Sequence, residues 1–251
     1  MIKQYKISVP KSTLNDIYKR VREFPWNDAQ NMSGWEYGTN LNYLKSISKY
    51  WISKYNWKKF ENKINSFKNY KTKVEDINLH FIFEKSKNPN SRPLLLLHGW
   101  PGSISEFLNI IPRLAHPEKY GGKIEDGFDV IVPSLPGFGF SSQIKKALGP
   151  RKIGKILNKF MVKNLGYKNY FVQGGDWGAT IAGWIGLDSS KNCKGIHINC
   201  LPLRHPKGPK NSKEKKWEKK FNFDQIMQEG YRTQQATKPQ TLSYAMIDSP
   251  V

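Results

Sequence analysis

The sequence has 251 residues, of which 38% are hydrophobic and 13% aromatic, and its formal net charge is +21. This length and composition suffice for a packed core in one large or two small domains, and they exclude a disordered chain. The positive charge comes mainly from lysine spread along the whole chain, together with abundant asparagine, isoleucine and tyrosine, which indicates A/T-rich codon usage. We therefore expect no nucleic-acid partner.

Two further classes of protein are not expected. No apolar run reaches the length of a membrane span, and the N-terminal stretch MIKQYKISVP lacks the apolar segment of a signal peptide. The cysteines, Cys193 and Cys200, are separated by an odd spacing in one apolar run, which places them on opposite faces of a strand. A disulfide framework is therefore not expected. We expect the protein to reside in a reducing compartment.

Residues 11–66 are predicted to be helical. Ser12 is the expected N-cap of the first helix, and the apolar residues of LNYLKSISKYWISKY recur at helical spacing in the next. From residue 70 the period changes to alternation, and KTKVEDINLHFIFEK predicts two strands.

The middle of the chain alternates between strands and helices. Ser103 and Glu106 form the pattern of a capping box, and Gly166 is the expected end of a later helix. The predicted strands are PLLLLH, FDVIVP, NYFVQ and KGIHINC, with SISEFLNIIPRLA, GKILNKFMVKNLG and ATIAGWIGLDSS as helices between them. This order predicts an α/β protein with a mostly parallel sheet covered on both faces. The basic, proline-containing segment after Cys200 is expected to be a solvated face or loop outside the sheet.

An aspartate stands among glycines where a strand meets a helix, in Gly174-Gly175-Asp176-Trp177-Gly178. This pattern fits a nucleophile elbow, in which Gly174 and Gly178 allow close backbone approach and the helix N-terminus favours an ionised carboxylate. The alternative is an ordinary N-cap aspartate on a βα turn.

The earlier motif His98-Gly99-Trp100-Pro101-Gly102 favours the elbow interpretation. In hydrolases of this architecture, N–H groups from such a loop and from the residue after the nucleophile form the oxyanion hole, which here indicates Trp100 and Trp177. We interpret His98 as a structural histidine of the loop. The stretch PSLPGFGFS supplies the Pro/Gly loop expected after the next strand.

The sequence resembles the microsomal and juvenile-hormone type of epoxide hydrolases, which have the α/β-hydrolase fold. The resemblance runs through LLLLHGWPGS, SLPGFGFS, YFVQGGDWG and ATKP with IDSPV, and it covers nearly the whole chain. It implies that Asp176 attacks an epoxide to form an ester, which water then hydrolyses to a diol, without metal or organic cofactor. It also implies that Tyr231, in a cap domain, gives a proton to the epoxide oxygen; the alternative for Tyr231 is a buried, locally paired tyrosine.

The sequence departs from that family after the elbow. Only His197 and His205 follow Asp176, and neither matches the position of the family's base; its acid partner and second cap tyrosine also have no counterpart. Three interpretations remain: a fragment of an epoxide hydrolase, a truncated protein without turnover, or a non-catalytic protein that binds a hydrophobic ligand on a degenerate hydrolase scaffold.

The resemblance also implies a domain organisation and a subcellular location. The expected parts are an N-terminal helical arm at 1–69, an incomplete α/β-hydrolase core at 70–201 that lacks late strands, and a partial cap at 202–251. The expected partner is a small hydrophobic epoxide. The expected location is the cytoplasm, or the endoplasmic reticulum membrane if an anchor precedes Met1.

Overall fold

The computed structural model describes residues 1–32, 34–200 and 207–251. These residues form two compact units. The first comprises the described residues of Met1–Ile7 and Lys58–Pro202, and the second those of Ser8–Trp57 and Leu203–Val251.

The first unit is built on a seven-stranded sheet with the order β1-β2-β3-β5-β4-β6-β7. The strands are β1 (Ile2–Gln4), β2 (Asn69–Val74), β3 (Ile77–Glu84), β4 (Arg92–Leu97), β5 (Phe128–Pro133), β6 (Tyr170–Gly174) and β7 (Cys193–Ile198). The pairs β1–β2, β2–β3 and β3–β5 are antiparallel. The pairs β5–β4, β4–β6 and β6–β7 are parallel. The α/β-hydrolase fold class predicted from the sequence is thus confirmed, but the sheet is mixed and not mostly parallel, since three of its six strand pairings are antiparallel.

The antiparallel half has a local cause. Strands β2 and β3 form a hairpin, and Glu75 at its turn has a positive φ of 57°. A two-residue connection of this kind joins only antiparallel strands. Strand β1 pairs with β2, and it was not predicted because Ile2–Gln4 is too short to show alternation.

Helices cover both faces of the sheet. Those of the first unit are α3 (Trp57–Asn65), α4 (Ile111–Ala115), α5 (Pro150–Lys159) and α6 (Trp177–Asp188). Leu95 and Leu97 of β4 belong to one buried cluster with Phe160 and Ile181, while Leu96 belongs to a second. Because alternate residues of a strand face opposite ways, the uninterrupted apolar run of β4 serves both cores.

Helix ends follow the predictions in part. Gly166, with a φ of 79°, follows the π-helical turn Phe160–Asn164 that continues α5, as predicted. The prediction for Ser12 was wrong, because α1 (Lys11–Arg22) begins directly after Pro10. Proline fixes φ and is well suited to a helix start, so the boundary moves ahead of the serine.

The Ser103 cap forms, and the predicted capping box forms in part: the Glu106 carboxylate faces the Ser103 N–H, whereas the N–H that meets the Ser103 hydroxyl is not that of Glu106. Ser103 precedes a 3-10 turn, Ile104–Phe107, and its hydroxyl accepts from the N–H of Ser105 at 3.2 Å. In a 3-10 turn the chain is wound more tightly than in an α-helix, which brings Ser105 rather than Glu106 to the cap.

The second unit is helical. Its helices are α1, α2 (Leu41–Ser53), α7 (Ser212–Gln228), α8 (Gly230–Thr237) and α9 (Pro239–Asp248). The Arg20 guanidinium of α1 donates to the carbonyl of Ile247 in α9 at 3.0 Å, so the first and last helices of the unit are in contact. The basic segment forms α7, and no residue of this helix is buried, as expected for a solvated face.

Candidate active site

The predicted elbow joins β6 to α6. Asp176 lies between them with φ 50° and ψ −123°, a conformation that residues other than glycine rarely adopt. Its carbonyl accepts from the N–H of Ala179 at 3.0 Å and so starts the helix. Asp176 therefore occupies the N-cap position, but its side chain makes no capping hydrogen bond.

The Asp176 carboxylate is directed instead to the loop that follows β4. The backbone N–H of Trp100 donates to Asp176 Oδ1 at 2.9 Å. A Cβ on Gly99 would lie 2.3 Å from the same oxygen, so the loop backbone and the carboxylate are in direct contact. The structure thus brings together Asp176 and Trp100, two of the residues selected from the sequence.

The glycines of the elbow are required by its packing. A Cβ on Gly174 would lie 2.1 Å from the carbonyl oxygen of Gly178, and a Cβ on Gly178 would lie 2.1 Å from that of Leu97. No side chain fits at such distances. The two glycines therefore let the start of α6 approach β4 and β6, which holds Asp176 at the carboxyl ends of these parallel strands.

Trp177 is the first residue of α6, and the residue is 48% exposed. N–H groups in the first turn of a helix have no acceptor within that helix. The role of the Trp177 N–H in an oxyanion hole stays a prediction, consistent with its place next to Asp176 in the chain.

His98 is buried and connects two loops. The N–H of Leu135 donates to His98 Nε2 at 3.1 Å, and His98 Nδ1 lies 2.9 Å from the Gly99 carbonyl oxygen. Since Nε2 accepts, Nδ1 carries the proton and donates to Gly99. Burial lowers the pKa of His98, so the ring is neutral. These contacts support the loops around Pro101 and Leu135, as the structural interpretation of His98 expects.

A second buried histidine holds the Pro/Gly loop. His80 Nδ1 lies 2.9 Å from the hydroxyl of Ser134, and Nε2 lies 3.1 Å from Asn69 Oδ1. Ser141 donates to the Ser134 carbonyl at 2.7 Å and closes the loop. Burial lowers the pKa of His80 to about 3. His80 was not predicted from the sequence, where its only signal is a polar residue within the apolar strand INLHFIFE.

The remaining candidates from the sequence are Tyr231, His197 and His205. Tyr231 is in α8 of the helical unit and is 57% exposed, and its role stays a prediction. His197 lies on β7 opposite Gln173 of β6, within the sheet. His205 lies outside the described residues. Among residues 1–32, 34–200 and 207–251, no group of three or more His, Cys, Asp and Glu side chains is arranged to hold a metal ion.

Comparison with known proteins agrees with this geometry. Residues 92–245 match the family model of the alpha/beta hydrolase fold, and residues 2–107 match that of the epoxide hydrolase N terminus. The chain is 35% identical to Epoxide hydrolase 1 of Oryctolagus cuniculus over all of its own length and 60% of the relative's.

Solved structures show the same likeness. An Aspergillus niger epoxide hydrolase superposes with a TM-score of 0.87 at 28% identity, covering 100% of this chain and 66% of that one. The juvenile hormone epoxide hydrolase of Bombyx mori gives a TM-score of 0.87 at 29% identity, covering 100% and 63%. The chain belongs to the α/β-hydrolase fold family. Within it, the chain is a member of the epoxide hydrolases of the microsomal and juvenile-hormone type.

The chain spans 60% of the length of the rabbit relative. None of the described helices combines the length and apolar composition needed to cross a membrane.

Proposed function

We propose that Asp176 is the nucleophile that opens a hydrophobic epoxide. One observation carries the proposal: the carboxylate of Asp176, on a strained elbow, does not cap its own helix but accepts the Trp100 N–H at 2.9 Å. An N-cap aspartate would need neither the strain nor this partner.

The hydrogen bond distinguishes the two carboxylate oxygens. Oδ1 is held by the Trp100 N–H, which leaves Oδ2 to attack a carbon of the epoxide. A bond forms between Oδ2 and that carbon while the bond from the same carbon to the ring oxygen breaks. The ring oxygen takes a proton from a tyrosine, and Tyr231 is the residue proposed for this role.

The resulting ester keeps Oδ1 as its carbonyl oxygen. Attack of water on the ester would place negative charge on Oδ1, which already accepts the Trp100 N–H; the Trp177 N–H is the proposed second donor. The same contact would thus orient the nucleophile in the first step and stabilise the oxyanion in the second. This proposal needs no metal or organic cofactor, and the proposed substrates are small hydrophobic epoxides.

Mass spectrometry tests the nucleophile. The parent chain, Asp176→Asn and the control Asp76→Asn are incubated with excess styrene oxide and digested. Asp76 is an exposed carboxylate in the β2–β3 turn. We expect one epoxide mass on the elbow peptide of the parent and of the control, and none in Asp176→Asn, because an amide is a poor nucleophile. Equal labelling of the elbow peptide in Asp176→Asn would refute the assignment.

A further inference from the structure

Glu106 turns its carboxyl group back onto the loop that contacts Asp176. It lies in the 3-10 turn that follows the loop. A Cβ on Gly102 would lie 1.6 Å from Glu106 Oε1 and 2.8 Å from its Cδ, so the carboxyl group occupies the space that a side chain at position 102 would need. Although the residue is exposed as a whole, its charged end is packed on the backbone of the loop.

The groups around this carboxyl group shift its pKa in opposite directions. Partial desolvation raises the pKa of Glu106, and the negative charge of Asp176 raises it further. The backbone N–H groups of Gly99 and Ser103 face the carboxylate and act in the opposite direction. Glu106 is therefore coupled to both the loop backbone and the nucleophile.

The loop thus lies between two carboxylates. The N–H of Gly99 faces Glu106, and the N–H of the next residue, Trp100, donates to Asp176. The directions of successive N–H groups depend on the same backbone dihedral angles, so a partner for Gly99 restricts the direction of Trp100. Ser103, on the other side of Gly102, also faces Glu106 and fixes the far end of the loop.

We propose that Glu106 is a positioning residue for the reaction, holding the loop so that the Trp100 N–H is aimed at Asp176 Oδ1. The inference rests on the proposed role of Asp176. Glu106 acts through the backbone of Gly99 and Ser103, and it does not contact the reacting atoms. Preorganised donors are effective only within a narrow range of geometry, which explains why a carboxylate behind the loop would matter for the rate.

The variant Glu106→Gln tests this role, with Glu125→Gln as the matched control. Glu125 lies in the 3-10 turn before β5, at the opposite end of the parallel strands from the elbow. In Glu106→Gln, an NH₂ group replaces one of the two carboxylate oxygens. This group would face a backbone N–H of the loop and could not accept its hydrogen bond. The rate of ester formation with styrene oxide is measured by mass spectrometry against epoxide concentration and pH.

We expect Glu106→Gln to lower the saturating rate about tenfold, with little change in the half-saturating epoxide concentration. The reason is that the Trp100 N–H would be misdirected but not removed. In the parent, the rate should fall in acid as Glu106 is protonated, and in Glu106→Gln this fall should move to lower pH. A purely structural defect would slow the reaction equally at every pH. An unchanged rate, or such uniform slowing, would overturn the proposal.

Backbone amide exchange at Trp100 separates this proposal from that for Asp176. If the parent forms no adduct, the nucleophile proposal fails, and exchange then decides the role of Glu106. Faster exchange at Trp100 in Glu106→Gln but not in Glu125→Gln supports positioning by Glu106. Equal exchange at Trp100 in the three proteins overturns it.

Discussion

Asp176 is held in a backbone conformation that costs about 1–3 kcal/mol for a residue with a side chain. Such a conformation persists only where the surrounding contacts impose it. Here they are the Ala179 N–H on the Asp176 carbonyl and the Trp100 N–H on its carboxylate. The backbone conformation of Asp176 thus directs its carboxylate towards the Trp100 loop, at a cost to the stability of the turn.

The two buried histidines near the site have a different character. His98 bonds two loops through Gly99 and Leu135, His80 joins Asn69 of β2 to Ser134, and burial lowers the pKa of both histidines. Both are therefore neutral supports at physiological pH, and neither acts as a charged group in the site.

A pH dependence of stability follows from His80. Its pKa is lowered to about 3 from 6.5, so between these values the unfolded chain binds a proton that the folded one does not. The free energy of unfolding should fall as the pH drops below 6.5, by up to about 1.4 kcal/mol per pH unit from this group. Urea unfolding at pH 7, 6 and 5 measures the slope. His80→Gln should reduce it, whereas the exposed His197→Gln should retain it; an equal slope in both would contradict the prediction.

At the scale of elements, the site depends on how closely α6 approaches β4 and β6. The contact is made through backbone atoms, since Gly178 leaves no room for a Cβ beside the Leu97 carbonyl. Helix and strand packed through side chains would stand further apart, and the Trp100 loop after β4 would then not reach Asp176. The position of Asp176 relative to the Trp100 loop is thus a property of this junction.

A pair of glycines in α6 tests this junction. A Cβ on Gly178 would meet backbone at 2.1 Å, whereas a Cβ on Gly183 would meet nothing within 4 Å. Gly178→Ala should lose about 3 kcal/mol or more of unfolding free energy and should not form the ester. Gly183→Ala should be stabilised by up to about 1 kcal/mol, since alanine is the better helix former. Urea unfolding measures both, and equal stability in the two variants would contradict the close approach.

At the scale of the whole molecule, the proposed catalytic groups are divided between two units. Asp176, Trp100 and Trp177 belong to the sheet unit, and Tyr231 belongs to the helical one. The net charge of +21 is distributed over both units. Helix α7, for example, carries a run of exposed lysines. The charge therefore marks solvated surface and does not mark the site.

The complete reaction makes a further demand on these 251 residues. Ester hydrolysis needs a base, which is worth roughly a hundredfold to ten-thousandfold in rate. Of the histidines after Asp176, His197 is fixed on β7 and His205 lies outside the described residues. We expect this polypeptide to consume about one equivalent of styrene oxide and to release no diol, as a stalled covalent intermediate would. A burst assay measures both, and sustained diol release that is lost in His205→Ala would contradict the expectation.

The sequence by itself determined the type of fold and the position of the elbow aspartate proposed as the nucleophile. Apolar runs such as that of β4 and the alternation of β2 and β3 are local consequences of backbone geometry, so they can be recognised from spacing alone. The elbow was recognisable because glycines flank an aspartate where the period changes. Ser12 was misplaced because the neighbouring Pro10 decides the same boundary.

Only the tertiary structure decided what the aspartate contacts. Whether Asp176 caps its helix or meets the Trp100 N–H depends on the approach of two segments 76 residues apart, which no local pattern encodes. The same holds for Glu106: the sequence assigned it to a capping box with Ser103, and the fold adds its contacts with Gly99 and Gly102. Local propensity sets the elements, but the partners of a polar side chain are set by packing between distant parts of the chain.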